Sequence, residues 1–195
     1  MLPSLQASIE PFCCTAANGR RWGLLVLPLV VLFSTADAPH LRADTLSRGT
    51  SAFRRGDYVQ AFRELSPLAT RGNAKALGLL GFMYDHGYGA PQAHDVAADL
   101  YAQAAAQGNP FAQAMLGLMY DKGHGVRQNF VLAYKWLNLA AARTRGEERK
   151  LYAKFRDAVA SKMSTTEIVE GQRLASVWIP NRFGPDGRAP RGSQY

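Results

Sequence analysis

The stretch LGFMYDHGYGAPQ, residues 80–92, is followed at residues 116–128 by LGLMYDKGHGVRQ, so the chain repeats one pattern with a fixed offset. The match begins where Gly72–Asn73 aligns with Gly108–Asn109, and it runs to the alanine triplets at 104–106 and 140–142. A fixed period of this length is typical of arrays in which each unit buries its apolar face against a neighbour. The sequence therefore predicts a stack of repeats.

Both halves of the unit have helical periodicity. In the first half, small and apolar residues recur at i, i+4, i+7 and i+11, which places them on one helical face, and the second half carries a similar stripe. Each unit is therefore predicted to be a helix, a turn and a second helix. The residues that carry this structural pattern are Ala76, Leu80, Gly81, Tyr84, Gly87, Gly89, Ala97, Ala104 and Ala105 in the first unit, and Ala112, Leu116, Gly117, Tyr120, Gly123, Gly125, Ala133, Trp136, Ala140 and Ala141 in the second.

The paired glycines at 87–89 and 123–125 follow a predicted helix. The first glycine of each pair is expected to end that helix in the left-handed conformation, and the second to let the chain reverse. A phosphate-binding loop would instead follow a strand and open a helix, with Lys and then Ser or Thr after its last glycine. The pattern indicates a structural turn.

Three further glycines, Gly78, Gly81 and Gly117, lie inside the predicted first helices, where each costs about 1 kcal/mol relative to alanine. Close packing between helices would explain why glycine is present at these positions despite that cost. We expect these glycines to face the small residues Ala97 or Ala133 on the partner helix and to let the two backbones approach.

The pattern A-x-x-x-L-G-x-x-Y-x-x-G-x-G-V, followed by A-x-x-W-x-x-x-A-A, resembles the Sel1-like repeat family, which is related to tetratricopeptide repeats. The first unit departs from it at Ala90, which replaces the valine, and at Leu100, which replaces the tryptophan. The resemblance implies an all-α fold, a short right-handed α-solenoid of about eight helices. It also implies that a partner protein or peptide binds on the concave face, which the first helices line.

The amino-terminal segment 1–38 is predicted to be a signal peptide. Arg20–Arg21 precede an apolar run at 22–33 that is short for a membrane span, and Ala36 and Ala38 suit cleavage after Ala38. The alternative is a retained membrane anchor. Export would place the protein in the periplasm or outside the cell, and the only cysteines, Cys13 and Cys14, lie in this leader.

The remaining segments divide into two repeats, at 72–107 and 108–143, with a cap on each side. Segment 39–71 resembles a tetratricopeptide unit, with a first helix from about Asp44 to Arg55. Segment 144–179 is predicted to be a capping helix pair, whose second helix opens with the capping box Ser164–Glu167 and runs to about Trp178. Residues 180–195, rich in Pro, Gly and Arg, are predicted to be a disordered basic tail.

Catalytic and metal-binding patterns are weak in this sequence. His86 and His94 are a possible metal pair, but they are separated by a glycine turn, and no histidine is repeated in register. Asp85 and Asp121 do recur in register. We expect each carboxylate to bind amides of its own glycine turn, although paired carboxylates also do acid–base work. No catalytic, metal or cofactor residue is predicted.

The candidate partner-binding residues lie on the first helices, outside the main core stripe. Phe82 and Leu118 share one register position, and they are open to two interpretations, partner contact or packing between units. Tyr84, Tyr120 and Trp136 are predicted to be wedges between helices. The candidate contact residues are Lys75, Phe82, Phe111, Gln113 and Leu118.

The formal net charge of +8 favours encounter with acidic partners. The leading hypothesis is a non-enzymatic interaction scaffold of the bacterial cell envelope, with a protein or peptide partner, no nucleic acid and no cofactor. One alternative is an enzyme, because cysteine-rich Sel1-like proteins resemble penicillin-binding proteins or β-lactamases, but those need cysteines that an exported form would lack. The other alternative is docking of the basic surface onto anionic lipid or cell-wall polymer, which salt would weaken.

Overall fold

The computed structural model describes residues 39–180, which form eight α-helices and no strand within that range. The predicted all-α solenoid of about eight helices is confirmed. The helices are α1 (Pro39–Arg55), α2 (Tyr58–Ala69), α3 (Ala74–His86), α4 (His94–Ala106), α5 (Pro110–Lys122), α6 (Phe130–Arg143), α7 (Gly146–Ala160) and α8 (Thr165–Ser176).

The helices form a row of hairpins. α1 packs on α2, α3 on α4 and α5 on α6, and each hairpin packs against the next through its second helix. The first helices α3 and α5 also contact each other, as do α5 and α7. At the carboxyl end, α7 and α8 each pack mainly against α6, so both cover the last repeat directly instead of adding one more hairpin.

Asparagine side chains fix where the helices of the repeats begin. The Asn73 side chain accepts hydrogen bonds from two amides of α3, and Asn109 and Asn129 cap α5 and α6 in the same way. These bonds satisfy amides that have no partner within the helix. Gly72 and Gly108, which precede two of these caps, have positive φ of 78° and 88°.

The first helices end as the sequence predicts. Gly87 and Gly123 are left-handed, and the amides of these glycines and of the residues after them donate to the carbonyls of Met83 and Met119. The second glycines, Gly89 and Gly125, also have positive φ. Each turn thus stops a helix and reverses the chain without a penalty from a Cβ atom.

Alanines dominate the interior of the stack. Many of them are fully buried, which brings helix backbones close together, and larger side chains such as Leu65, Met83, Tyr101 and Leu137 fill the remaining space. Tyr84, Tyr120 and Trp136 are half-buried and pack against this core.

The glycines inside the first helices permit close approach, but not always to the expected residue. An added Cβ on Gly81 would lie 2.9 Å from the ring of Tyr101, so this glycine faces a tyrosine and not Ala97. On Gly117 the Cβ would lie 2.8 Å from Leu137, beside the carbonyl of Ala133. The predicted contact of these glycines with Ala97 or Ala133 is therefore confirmed only in part, at Gly117. A large side chain, Tyr101 or Leu137, fills most of the space beside each glycine.

The helices at the two ends lie where the sequence predicts helices, with shifts at their ends. α1 begins at Pro39, earlier than Asp44, and proline suits the first position of a helix because its φ is already helical. The capping box is present, since Ser164 and Glu167 bond to each other's backbone amides. α8 ends at Ser176, and Trp178 then packs edge-on against Trp136.

The predicted leader (1–38) and most of the predicted tail (181–195) lie outside the described residues. Within 39–180, no helix combines the length and apolar character that a membrane crossing requires.

Candidate functional site

A second stripe runs along each first helix of the repeats, beside the core stripe. Its members follow the same i, i+4, i+7, i+11 spacing, offset by one residue, and all of them are exposed or half-buried. We call this surface the first-helix face. It consists of Lys75, Leu79, Phe82 and His86 on α3, and Phe111, Met115, Leu118 and Lys122 on α5.

A cavity of about 140 Å³ opens at the carboxyl ends of α3 and α5. Its lining is mixed and combines methionine and leucine side chains with a carboxylate, two imidazoles and an ammonium group. The lining residues are Asp85, His86, Met115, Leu118, Met119, Lys122 and His124. A second cavity, of about 530 Å³, lies beside the glycine turn of repeat 2 and includes Tyr120, Arg127 and Leu132 in its wall.

Four of the five candidate contact residues lie on the first-helix face. Lys75 is exposed near the start of α3, and Leu118 lines the cavity. Phe82 packs edge-on against Phe53 of α1, with ring centres 5.5 Å apart, and lies 6.2 Å from the ring of Phe111. Phe82 therefore packs between units, whereas Leu118, at the same register position, also borders open space.

Gln113 is not a contact residue, and its prediction was wrong. The side chain is 0 % exposed and its Nε2 donates to the carbonyl oxygen of Ala105, 3.2 Å away. Position 113 is one residue after Ala112 and three before Leu116, both of which are core residues, so the helix turns it inward. Its Oε1 is buried without a hydrogen-bond partner.

Residues that sequence reasoning missed complete the cavity: Met115, Lys122, His86 and His124. The first two lie on the same helical stripe as Phe111 and Leu118, so the spacing contained a signal for them. His86 corresponds to Lys122 in the other repeat. For His124, which lies in the turn, helical spacing gives no signal.

The carboxylates of Asp85 and Asp121 do not bind the amides of their own turns, contrary to the prediction. Asp85 Oδ1 lies 2.8 Å from Nδ1 of His94, and Asp121 Oδ1 lies 2.7 Å from Nζ of Lys162. Glutamine side chains tie each turn instead. Gln92 donates to the backbone carbonyl of Asp85, and Gln128, its counterpart, donates to that of Asp121.

Tyr101 is a buried polar group next to this region. Its ring lies against Gly81, and its hydroxyl has no hydrogen-bond partner. Burial, and secondarily the negative charge of Asp85, raise the pKa of the Tyr101 hydroxyl well above its usual range. The folded protein therefore keeps the Tyr101 proton to a higher pH than the unfolded chain does.

His86 and His94 do not face each other as a metal pair. Nδ1 of His86 bonds to the carbonyl oxygen of Phe82, 3.0 Å away, and the imidazole stacks on the Phe82 ring. His94 instead bonds to Asp85. Among residues 39–180, no group of three or more His, Cys, Asp or Glu side chains is arranged to hold a metal ion.

Residues 74–109 and 110–144 each match the family model described as Sel1 repeat. The chain contains two Sel1 repeats. Each match begins at the first residue of a first helix, Ala74 for α3 and Pro110 for α5. The predicted resemblance to Sel1-like repeats is thus confirmed.

Two solved structures have the same repeat fold. One is c5321, a protective antigen present in uropathogenic Escherichia coli strains that displays an SLR fold, with 23% identity, a TM-score of 0.64, and coverage of 70% of this chain and 29% of that one. The other is a Sel1 repeat protein from Oxalobacter formigenes, with 29% identity, a TM-score of 0.54, and coverage of 71% and 55%. The chain thus spans less than two thirds of either structure. No curated protein sequence matches it.

Proposed function

We propose that this Sel1-repeat protein is a non-enzymatic adaptor of the bacterial cell envelope, which binds a segment of a partner protein on the first-helix face. Sel1 repeats generally mediate protein–protein interaction, and their fold is typically a non-catalytic scaffold. The envelope location rests on the pattern of the amino-terminal sequence, a short apolar run after two arginines and before Ala36 and Ala38.

The cavity between α3 and α5 is the observation that carries this proposal. Leu118 and Met115 are among its apolar lining residues, and Lys122 and His124 are among its polar ones. A pocket with both apolar and polar lining residues suits one anchoring side chain of a partner, because the anchor loses its water while the polar groups fix its orientation. Methionine adds adaptability, since its unbranched side chain adjusts to different shapes.

The distribution of charge also favours the first-helix face as the binding surface. Asp121 is neutralised by Lys162 and Asp85 is hydrogen-bonded to His94, whereas the ammonium groups of Lys75 and Lys122 have no acidic partner among residues 39–180. A partner segment with an acidic residue beside its apolar anchor would therefore gain attraction at this face. Such attraction raises the rate of association more than it raises affinity.

The test is affinity capture of the full chain after cross-linking in cells, with mass spectrometry of the captured proteins. Leu118→Glu places a charge in the cavity and should remove the specific partner. The matched control is Val169→Glu on α8, which introduces the same charge at a side chain that is 57% exposed, outside the first-helix face. Circular dichroism checks that both variants stay helical.

If the partner captured by the wild type is lost with Leu118→Glu and retained with Val169→Glu, the result would support the adaptor function and the location of binding on the first-helix face. Equal capture by wild type and Leu118→Glu would exclude this face. Capture that high salt abolishes for all three proteins would instead point to the basic surface, because exposed charges are screened over about 8 Å at physiological ionic strength.

A further inference from the structure

The units of the solenoid meet at joints that share one register. At each joint, the first residue of a second helix lies against the turn of the following unit. In the first joint, Tyr58 stacks on Tyr88 with ring centres 4.6 Å apart and an angle of 13°. Gly89 makes this possible, since a Cβ there would lie 2.7 Å from the carbonyl oxygen of Tyr58.

The second joint replaces both tyrosines with histidines. His94 takes the position of Tyr58 and His124 that of Tyr88, and the two imidazole centres are 5.5 Å apart at an angle of 33°. Gly125 lies against the backbone of His94, as Gly89 does against Tyr58. The repeat geometry, which aligns these positions, brings together two residues that are thirty positions apart.

Asp85 orients one of these imidazoles. An ionised carboxylate only accepts hydrogen bonds, so in the 2.8 Å contact Nδ1 of His94 is the donor. In a neutral imidazole, Nε2 then carries the free lone pair. A histidine that ligates a metal usually has this partner, because the carboxylate fixes the tautomer and raises the basicity of the ligating nitrogen.

The spacing of the rings also suits a shared ion. With Zn–N bonds of 2.0–2.1 Å and a tetrahedral angle, two imidazoles that bind one zinc ion have ring centres about 5–6 Å apart. The His94 side chain is 41% exposed and His124 is exposed, so an ion can enter from solvent. Water would occupy the other coordination positions, consistent with the lack of a third protein ligand within 39–180.

We propose that His94 and His124 bind one divalent transition-metal ion, Zn²⁺ in the first instance, across the joint between the two Sel1 repeats, with Asp85 positioning His94. The ion would tie the start of α4 to the turn after α5 and so fix the two repeats relative to each other. This site does not depend on the proposed adaptor function.

Isothermal titration calorimetry of the full chain with ZnCl₂ tests the site. Wild type should bind one ion per chain at this joint with a dissociation constant in the micromolar range. The double variant His94→Tyr/His124→Tyr, which copies the tyrosine pair of the first joint, should lose that ion, while His86 remains as a background control. Asp85→Asn should weaken binding about 10-fold or more, as expected when an orienting carboxylate is removed.

Absence of zinc binding by wild type would overturn the proposal, as would unchanged affinity in the double tyrosine variant. Wild-type affinity in Asp85→Asn would overturn the positioning role. If the double variant does not fold, the single change His124→Tyr at an exposed turn position provides the same comparison. MgCl₂ is the control ion and should give no comparable binding, because Mg²⁺ prefers oxygen ligands.

Discussion

Repeat 1 and repeat 2 have matching helices and turns, but three features differ between them: a core side chain, the partner of a recurring carboxylate, and the joint to the preceding unit. Tyr101 and Leu137 occupy the same place in the second helix, both are 0 % exposed, and each fills the space left by a glycine of the first helix. One core thus includes a hydroxyl without a partner, and the other is wholly apolar at this point.

The recurring carboxylates differ in their partners. Asp85 bonds to a histidine in the same repeat, whereas Asp121 reaches Lys162 beyond α7. The joints differ too. Stacked tyrosines form the joint between the first hairpin and repeat 1, and paired histidines form the joint between the two repeats. The comparison shows that the repeated backbone decides which positions meet, and residue identity then decides what chemistry the contact can perform.

The largest expected effect is at the joints. Gly125→Ala should destabilise the protein by at least about 3 kcal/mol, because a left-handed alanine costs about 1–2 kcal/mol and its Cβ would also overlap the backbone carbonyl of His94. Gly89→Ala, against Tyr58, should cost a similar or slightly smaller amount. The measurement is the free energy of unfolding from urea denaturation followed by circular dichroism.

Gly56→Ala is the matched control for the joint glycines. Gly56 has a φ of 80°, but nothing lies within 4 Å of an added Cβ, so only the backbone term applies. Its cost should stay near 1–2 kcal/mol. Equal costs at Gly56, Gly89 and Gly125 would show that the close approach at the joints contributes nothing to stability.

A smaller effect is expected within the repeats. Gly81→Ala and Gly117→Ala should each destabilise the fold by about 1–3 kcal/mol, since the added methyl group meets Tyr101 or Leu137 inside van der Waals contact and this outweighs the gain in helix propensity. Gly78→Ala in the same helix should be neutral or stabilise by up to about 1 kcal/mol, because its nearest atom, on Phe111, is 3.5 Å away. Thermal unfolding of the three variants would separate the two classes, and a loss at Gly78 equal to that at Gly81 would contradict the packing explanation.

The smallest effect distinguishes the two cores. Tyr101→Phe should stabilise the protein by about 1 kcal/mol at neutral pH, because it removes a buried hydroxyl without a partner. The unfolded chain releases the tyrosine proton near pH 10, while folding raises the pKa of Tyr101, so this residue lowers stability as pH rises above about 10. Urea denaturation at pH 7 and pH 11 should therefore show a larger advantage for Tyr101→Phe at pH 11. Equal differences at both values would mean that Tyr101 titrates normally in the folded state.

Much of the fold could be predicted because the evidence for it is repeated in the sequence. The core stripe from Ala112 to Gly123, the left-handed glycines and the capping box at Ser164 each follow from local rules of helix geometry. The positions of the candidate contact residues were predicted less well. Lys75, Phe82, Phe111 and Leu118 were placed on the first-helix face, but Gln113 was assigned to the wrong side of α5.

Local sequence patterns could not have identified some of the cavity residues, for a physical reason. His124 enters the cavity from a turn, and its neighbour His94 belongs to the preceding hairpin, so their meeting depends on how two hairpins stack. The partners of Asp85 and Asp121 also lie outside the local pattern, because His94 is across the glycine turn of the same repeat and Lys162 follows α7.

The sequence by itself determined the period, the helices, their caps and the glycine turns, since these depend on hydrogen bonds and side-chain spacing within a few residues. Only the tertiary structure decided which side chain fills the space at each glycine, that Phe82 is packed while Leu118 borders a cavity, and that two histidines share a joint. Those outcomes depend on the approach of backbones that are distant in the chain, and a local pattern does not specify that approach.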